Sequence, residues 1–323
     1  MKRIVPIAVG FLLSTILGTL APVSAGEAIA LISSLAGKVE VERASQKEFR
    51  AARLGEQLFE NDVLHTYDHS RAALFFSNGS VITVYPKSRV ALSAPGKDQK
   101  KGSPLGTSLS QGVMKGVRGI FAVERKRETL TAVPGIRKKI EEEEMGVRVL
   151  YPRNSMILTS RPRFRWKTQG SARSFMVSLT LKGMGGQLWT LHTKETEIPY
   201  PTGKGDLERG QTYFLKVASV DDPSLVDEVY FRVLEDQKAE EVRRVREEME
   251  KLQKSNPDDA TTRFILANYY AQKGLYHEAL GELDSLERKN PGERFILEEK
   301  RKIFAKIGFW KQWEDVNQKL TTP

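Results

Sequence analysis

Five pairs of positions near the C-terminus, Pro257 and Pro291, Tyr270 and Phe304, Gly274 and Gly308, Tyr276 and Trp310, and Ala279 and Trp313, each stand 34 residues apart. A period that long exceeds any single helix or strand and requires a supersecondary unit used more than once. Residues 262–292 form the better copy. The copy at 293–320 is degenerate, with Lys300 and Arg301 where the first has Leu266 and Ala267. Ahead of both, residues 235–255 read as an unpaired second helix. The region 235–323 is therefore expected to be helical. Each copy can bury its apolar face only against a neighbour. An array this short leaves two uses open: a groove for a protein partner, or a helical cap on the rest of the chain.

Strands precede the helices. In "ALFFSNGSVITVY" (73–85), Asn78-Gly79 stands between two apolar runs. The pair predicts a hairpin closed by a type I′ turn, with positive φ at both residues. Both faces of the first strand are apolar, Ala72, Leu74 and Phe76 on one and Ala73 and Phe75 on the other. That pattern predicts a hairpin buried within a β domain spanning 26–134. Strand patterns return over 147–234 as short alternating segments with turn signals between them, as in a β-sandwich. Within it, Arg161, Arg163, Arg165 and Lys167 alternate with Phe164 and Trp166. This predicts a cationic, solvated face over an apolar one. Trp166 and Tyr213 are expected in the core. Between the two β regions, "GIRKKIEEEEMG" (135–146) is expected to be a solvated charged linker or short exposed helix. The fold class expected is thus multidomain β plus α.

Met1-Lys2-Arg3, an apolar run over 4–20, and Val23-Ser24-Ala25 have the order of a signal peptide, cleaved after Ala25. Retention of the run as an anchor is the alternative. A periplasmic or otherwise exported location is expected. The chain has no cysteine, which excludes disulfides, thiolate metal sites and a cysteine nucleophile. The net charge of +10 is spread over the two β regions, while the helical region is nearly neutral. In an exported chain this points to peptidoglycan or another acidic envelope polymer rather than to nucleic acid.

Three resemblances follow from these residues. Gly37-Lys-Val-Glu-Val41, Gly55-Glu-Gln-Leu58, Asn61-Asp62, Thr66, Ser70-Arg71-Ala72 and Asn78-Gly79-Ser80 come in the order and spacing of a FecR domain. The resemblance covers about a third of the chain. The closing Arg-Gly-Thr-x-Phe of that family is represented by Val117-Arg-Gly-Ile-Phe121, without the threonine. In ferric-citrate-type signalling the family's name-giver binds a sigma factor through a cytoplasmic segment. Only Met1, Lys2 and Arg3 precede the apolar run here, so that role is not expected. Pro162-x-Phe-x-Trp166, Leu207-x-x-Gly210-x-x-Tyr213 and Val229-Tyr-Phe-Arg-Val233 resemble a fibronectin type III or immunoglobulin-like domain, and the lack of cysteine favours the former. The 34-residue copies resemble tetratricopeptide repeats. In that family the first helix of each pair lines a concave surface. Its positions fall here on Thr261, Phe264, Asn268 and Ala271, then on Phe295, Glu298, Lys302 and Ala305. Phe264, Asn268, Phe295 and Lys302 are thereby implied as a candidate peptide groove.

No nucleophile elbow, phosphate loop or His-Glu-x-x-His motif occurs. His65 and His69, beside Asp62 and Asp68, have the composition of a metal site. A strand running into a turn, however, separates them, so no metal, cofactor or catalytic residue is expected. Glu141 to Glu144 lack a scaffold for acid–base work. The function expected is a non-catalytic envelope scaffold, with β modules docking on cell-wall polymer or a protein partner and helical repeats binding protein. The alternative is a sensor component coupled to an outer-membrane partner.

Overall fold

The computed structural model of the chain describes residues 27–94, 107–108, 114, 133, 135–144, 146–169, 172–255 and 260–321. The expected leader and its cleavage site, the motif at 117–121 and Pro257 lie outside them. The described residues form antiparallel β-sheets over the first two-thirds and helices at the C-terminus, a β plus α architecture.

The first β-unit comprises β1 (Ala30–Ala36), β2 (Val39–Glu42), β3 (Phe49–Ala51), β4 (Gln57–Leu58), β5 (Val63–Thr66), β6 (Arg71–Phe76), β7 (Ser80–Val84), β8 (Arg89–Ala91) and β9 (Thr107–Ser108). They make two sheets, ordered β4-β1-β6-β7-β9 and β3-β2-β5-β8. Ala30, Ile32, Val41, Leu58, Leu64, Ala72, Leu74 and Phe76 fill the space between the sheets. The opposite face of β6, Ala73 and Phe75, packs with Leu31 into a different core, shared with the helices. The two-sided apolarity of this strand thus reflects two partners, one of them outside the β domain.

The turn at its end differs from the type I′ expectation. Leu74 pairs with Ile82 and Phe75 with Val81. This register leaves Ser77, Asn78 and Gly79 as a three-residue loop, closed by the Gly79 amide donating to the Phe76 carbonyl at 2.9 Å. Gly79 alone takes positive φ, +89°, and Asn78 does not. This is the loop in which an ordinary turn is followed by a left-handed residue. Asn78 contributes by another route: its Oδ1 accepts from the Ser80 amide at 3.0 Å and from the Ser80 hydroxyl at 2.7 Å.

The second β-unit comprises β10 (Val147–Tyr151), β11 (Ser155–Ile157), β12 (Arg163–Thr168), β13 (Phe175–Leu181), β14 (Gln187–Thr193), β15 (Glu197–Pro199), β16 (Thr212–Ser219) and β17 (Val226–Val233). A three-stranded sheet, β10-β12-β15, faces a five-stranded one, β11-β17-β16-β13-β14. All pairings are antiparallel except β11 with β17. Phe164, Trp166, Tyr213 and Phe231 lie in the core between them, with Trp166 and Tyr213 both 2% exposed. Alternation in β12 leaves Arg163 outward, where its Nε donates to Glu197 at 2.6 Å.

The helices are α1 (Ile136–Glu144), α2 (Asp236–Ser255), α3 (Thr261–Gln272), α4 (Tyr276–Lys289), α5 (Arg294–Ile307) and α6 (Trp310–Thr321). α3 with α4 and α5 with α6 form two hairpins. Their turns close with the same bond. Leu275 N–H donates to the Tyr270 carbonyl at 2.9 Å, and Phe309 N–H to the Phe304 carbonyl at 2.9 Å. α2 lays Ala239, Val242, Val245 and Met249 against the first hairpin. No helix of the described residues is long and apolar enough to cross a membrane.

Candidate functional site

Two of the four residues implied as a peptide groove, Phe264 and Phe295, are covered by the chain itself. Phe264, on α3, is 1% exposed and lies in the core that also contains Leu31, Leu54 and Phe75 of the first β-unit. Phe295, on α5, sits with its ring centroid 5.1 Å from that of Phe264. Its ring closes over Gly55, where a Cβ would fall 2.4 Å from the Phe295 Cδ2. Gly55 also has φ +75°, so the close approach and the backbone both call for glycine. Asn268 is half-buried and turns its Nδ2 back to the Phe264 carbonyl at 2.8 Å, within its own helix. Lys302, the remaining candidate, pairs locally with Glu299 at 2.6 Å. Deeper in the same contact, Ser33 Oγ meets Thr261 Oγ1 at 2.9 Å. The correction to the groove expectation is steric and concerns two residues: Phe264 and Phe295 receive β1, β6 and the 53–56 loop, leaving Phe264 no surface to offer.

The second β-unit docks on the hairpin turns instead. Arg153 is 5% exposed. Its guanidinium donates to the Ile307 carbonyl at 2.8 Å, to the Val149 carbonyl at 3.2 Å and to Asp227 at 2.6 Å. Arg148 donates to the Gly308 carbonyl, and Asn154 Nδ2 to the Ile307 carbonyl at 3.2 Å. Two cations thus meet the carboxyl end of α5, where the helix dipole favours positive charge. At the equivalent turn of the first hairpin, the Met156 amide donates to the Gly274 carbonyl at 2.9 Å. Beside it, His277 Nε2 accepts from the Arg153 amide at 3.2 Å, and burial pulls its pKa down to about 4.

The charged segment at 135–146, expected as a solvated linker or short exposed helix, is a short helix that is exposed or half-buried except at Glu143. Glu143 is 1% exposed. Its Oε2 accepts from the Trp310 amide at 2.7 Å and the Lys311 amide at 3.1 Å. A carboxylate here satisfies amides that α6 cannot bond internally. Composition gave no sign of this, because four consecutive glutamates look alike until a helix end is brought to one of them.

The side chains left facing outward gather elsewhere. On the outer face of β3-β2-β5-β8, Phe49 is 41% exposed and stands 5.9 Å from the His65 ring, which lies 4.4 Å from Tyr67. Tyr67 donates to Glu40 at 2.5 Å, and Lys38 pairs with Glu40 at 3.0 Å. The Glu40 carboxyl is held below its ordinary range, chiefly by the Tyr67 hydroxyl and then by Lys38. Beside this face opens a cleft of about 390 Å³, bounded by Lys38, Glu40 and Ala51 on one side and Lys289, Asn290 and Glu293 on the other. Burial raises the Glu293 pKa above the carboxylate norm. His65 lies on β5, whereas His69 lies in the following turn at φ +54°. No cluster of three or more potential metal ligands occurs among the described residues.

The cleft was not legible in the sequence, since its two walls come from residues some 240 positions apart. The motif residues quoted for the first β-unit are engaged in turns. Asp62 accepts from the Phe59 amide at 2.9 Å and the Ala44 amide at 3.2 Å, and the Ser70 hydroxyl accepts from the Lys38 amide at 2.8 Å.

No family model matches this chain, and no curated protein matches it. Among solved structures it is similar to one described as a cell surface anchoring domain, at 26% identity over 20% of this chain and 86% of that chain. The TM-score is 0.20, and at that value the likeness carries no conclusion about fold or role.

Proposed function

We propose that the chain is a non-catalytic, exported binding protein of the cell envelope. In this reading the helical repeats act as an internal clamp, and an acidic envelope polymer docks on the outer face of the first β-unit and in its adjoining cleft. The observation that carries it is the covering of Phe264 and Phe295: with these packed against Leu54 and Gly55, an open surface among the described residues able to take an external ligand is the cleft at Lys38 and Lys289. Excess positive charge on the β-units favours an anionic partner.

The finer fold readings belong to the same proposal. A fibronectin type III or immunoglobulin-like second unit is supported by its three-plus-five strand division and by the Tyr213 hydroxyl donating to the Glu208 carbonyl at 3.2 Å. Tetratricopeptide-like repeats are supported by the matched turn bonds at Leu275 and Phe309. A FecR-like first unit is supported by the turn positions of Gly55, Asp62 and Gly79.

The test is co-sedimentation of residues 26–323 with purified peptidoglycan sacculi. The protein is expected in the pellet, and Lys38→Ala with Lys289→Ala is expected to lower the bound fraction several-fold at low salt. Asn268→Ala should bind as the parent does. A parent protein that stays in the supernatant with sacculi and with soluble anionic glycans rules the reading out.

A further inference from the structure

Side chains alternate along β2 and β5, so that Val39, Val41 and Leu64 enter the core while Glu40, Glu42 and His65 face outward. Strand pairing sets Glu40 opposite His65, and Glu42 opposite Phe49. Three rings meet on this outer face. The His65 ring lies 5.9 Å from Phe49 and 4.4 Å from Tyr67, and the row ends at Lys38, whose Nζ stands 4.1 Å from the Tyr67 centroid. All three residues of β3 are exposed, so nothing walls in the Phe49 ring along its edge of the sheet.

The charges around the rings are already matched. Glu40 pairs with Lys38 at 3.0 Å and Glu42 with Arg89 at 3.1 Å, and the Arg89 guanidinium also lies 5.6 Å from the Phe49 centroid. The face is therefore aromatic and locally neutral, with fixed donors and acceptors beside each end of the row.

This chemistry narrows the occupant. Charge alone gives a polyanion little hold here, because Glu40 and Glu42 already neutralise Lys38 and Arg89. Apolar anchors of a protein partner favour enclosed, dry pockets, whereas Phe49 stands open on an edge strand. A sugar ring matches both halves of the face. Its C–H groups present a weakly positive surface to the negative face of an aromatic ring. Its hydroxyls donate to carboxylates and accept from guanidinium and ammonium groups. Lys38, Glu40 and Ala51 also line the cleft, so the row of rings runs into it without a break. We propose that Phe49, His65 and Tyr67 form a sugar-stacking platform, on which rings of a glycan strand lie while charged substituents of the strand enter the cleft toward Lys289. The proposal rests on the envelope-polymer reading above and adds the chemical class of the ligand: a polysaccharide held through its sugar rings.

Salt separates stacking from charge, because screening weakens exposed ionic contacts and leaves ring contacts in place. Residues 26–323 are expected to pellet with sacculi at low and at high salt, and a neutral N-acetylglucosamine oligomer should displace them at both. Phe49→Ala and His65→Ala should each lower the fraction bound at high salt at least fivefold. Phe49→Leu keeps apolar area without an aromatic face, and should melt as the parent does yet bind as weakly as Phe49→Ala. Phe49→Trp should bind at least as well as the parent. Tyr230→Ala, which removes an exposed ring of the second β-unit, should leave binding unchanged. A parent that pellets at low salt only overturns the platform and leaves the envelope reading standing. So does full binding by Phe49→Leu at high salt, or displacement by polyphosphate but not by the oligomer. A parent that binds neither sacculi nor soluble anionic glycans removes both.

Discussion

Ser33 Oγ and Thr261 Oγ1 lie 2.9 Å apart in a buried contact between residues 228 positions apart, one in the first strand of the β-unit and the other in the first turn of α3. Ser33 is wholly buried at a register shift in β1, and its hydroxyl also donates to the Ala73 carbonyl at 3.2 Å. The contact joins a sheet to a helical hairpin inside one core. Replacing either residue alone, Ser33→Ala or Thr261→Val, removes one buried hydrogen bond and should cost about 0.5–1.5 kcal/mol. The double substitution should cost less than the sum. Urea melts followed by helical circular dichroism and by tryptophan fluorescence check both points, and a strictly additive pair would show that the hydroxyls are not coupled.

Gly55 is the steric counterpart of that bond. Gly55→Ala combines a left-handed backbone with a Cβ 2.4 Å from the Phe295 ring. It should destabilise the protein by roughly 2–4 kcal/mol, the sum of backbone strain and overpacking. Adding Phe295→Ala should return the overpacking part. If the double variant melts lower than both single ones, the clash is not the cause.

The hairpin at 76–80 separates two turn types. Gly79→Val introduces a β-branched residue at φ +89° and a Cβ 2.5 Å from Met114 Sδ, and should cost about 1–3 kcal/mol. Asn78→Ala should lose only its bonds to Ser80, about 1 kcal/mol. Equal, large losses at both positions in a thermal melt would favour the two-residue turn instead.

His277 supplies a pH dependence. Its pKa falls from 6.5 to about 4 because burial disfavours the charged ring, and Arg165 and Arg153 add to this. The unfolded chain therefore binds the proton first. Stability from this residue is full above pH 6.5, declines as pH falls and is gone below about pH 4, a loss of up to about 3 kcal/mol. His277→Gln keeps an acceptor for the Arg153 amide without the titration. Its urea midpoint should exceed that of the parent at pH 4.5 relative to pH 7.5. Parallel pH profiles for the two proteins would remove His277 as the source.

Local pattern is readable because it repeats within a few residues of itself. The 34-residue spacing places Gly274 and Gly308 in equivalent turns, and the alternation through β12 puts Phe164 and Trp166 inside. The apolar character of both faces of β6 is equally local, and it correctly implied burial on both sides. It carried no information on what covers Ala73 and Phe75, since the covering helix lies some 190 residues downstream.

What the sequence by itself determined is therefore the inventory: two strand-rich regions, a helical region with a period, and the buried sides of β6 and β12. Periodicity reports which face avoids water, because transfer of apolar surface from water is additive and local. Only the tertiary structure decided which faces meet. Glu143 became a buried cap on Trp310, Arg153 closed the end of α5 at Ile307, and the repeat face was taken by Leu54 and Gly55. These outcomes depend on shape and hydrogen-bond fit between elements more than a hundred residues apart. No window of sequence contains both halves of such a contact.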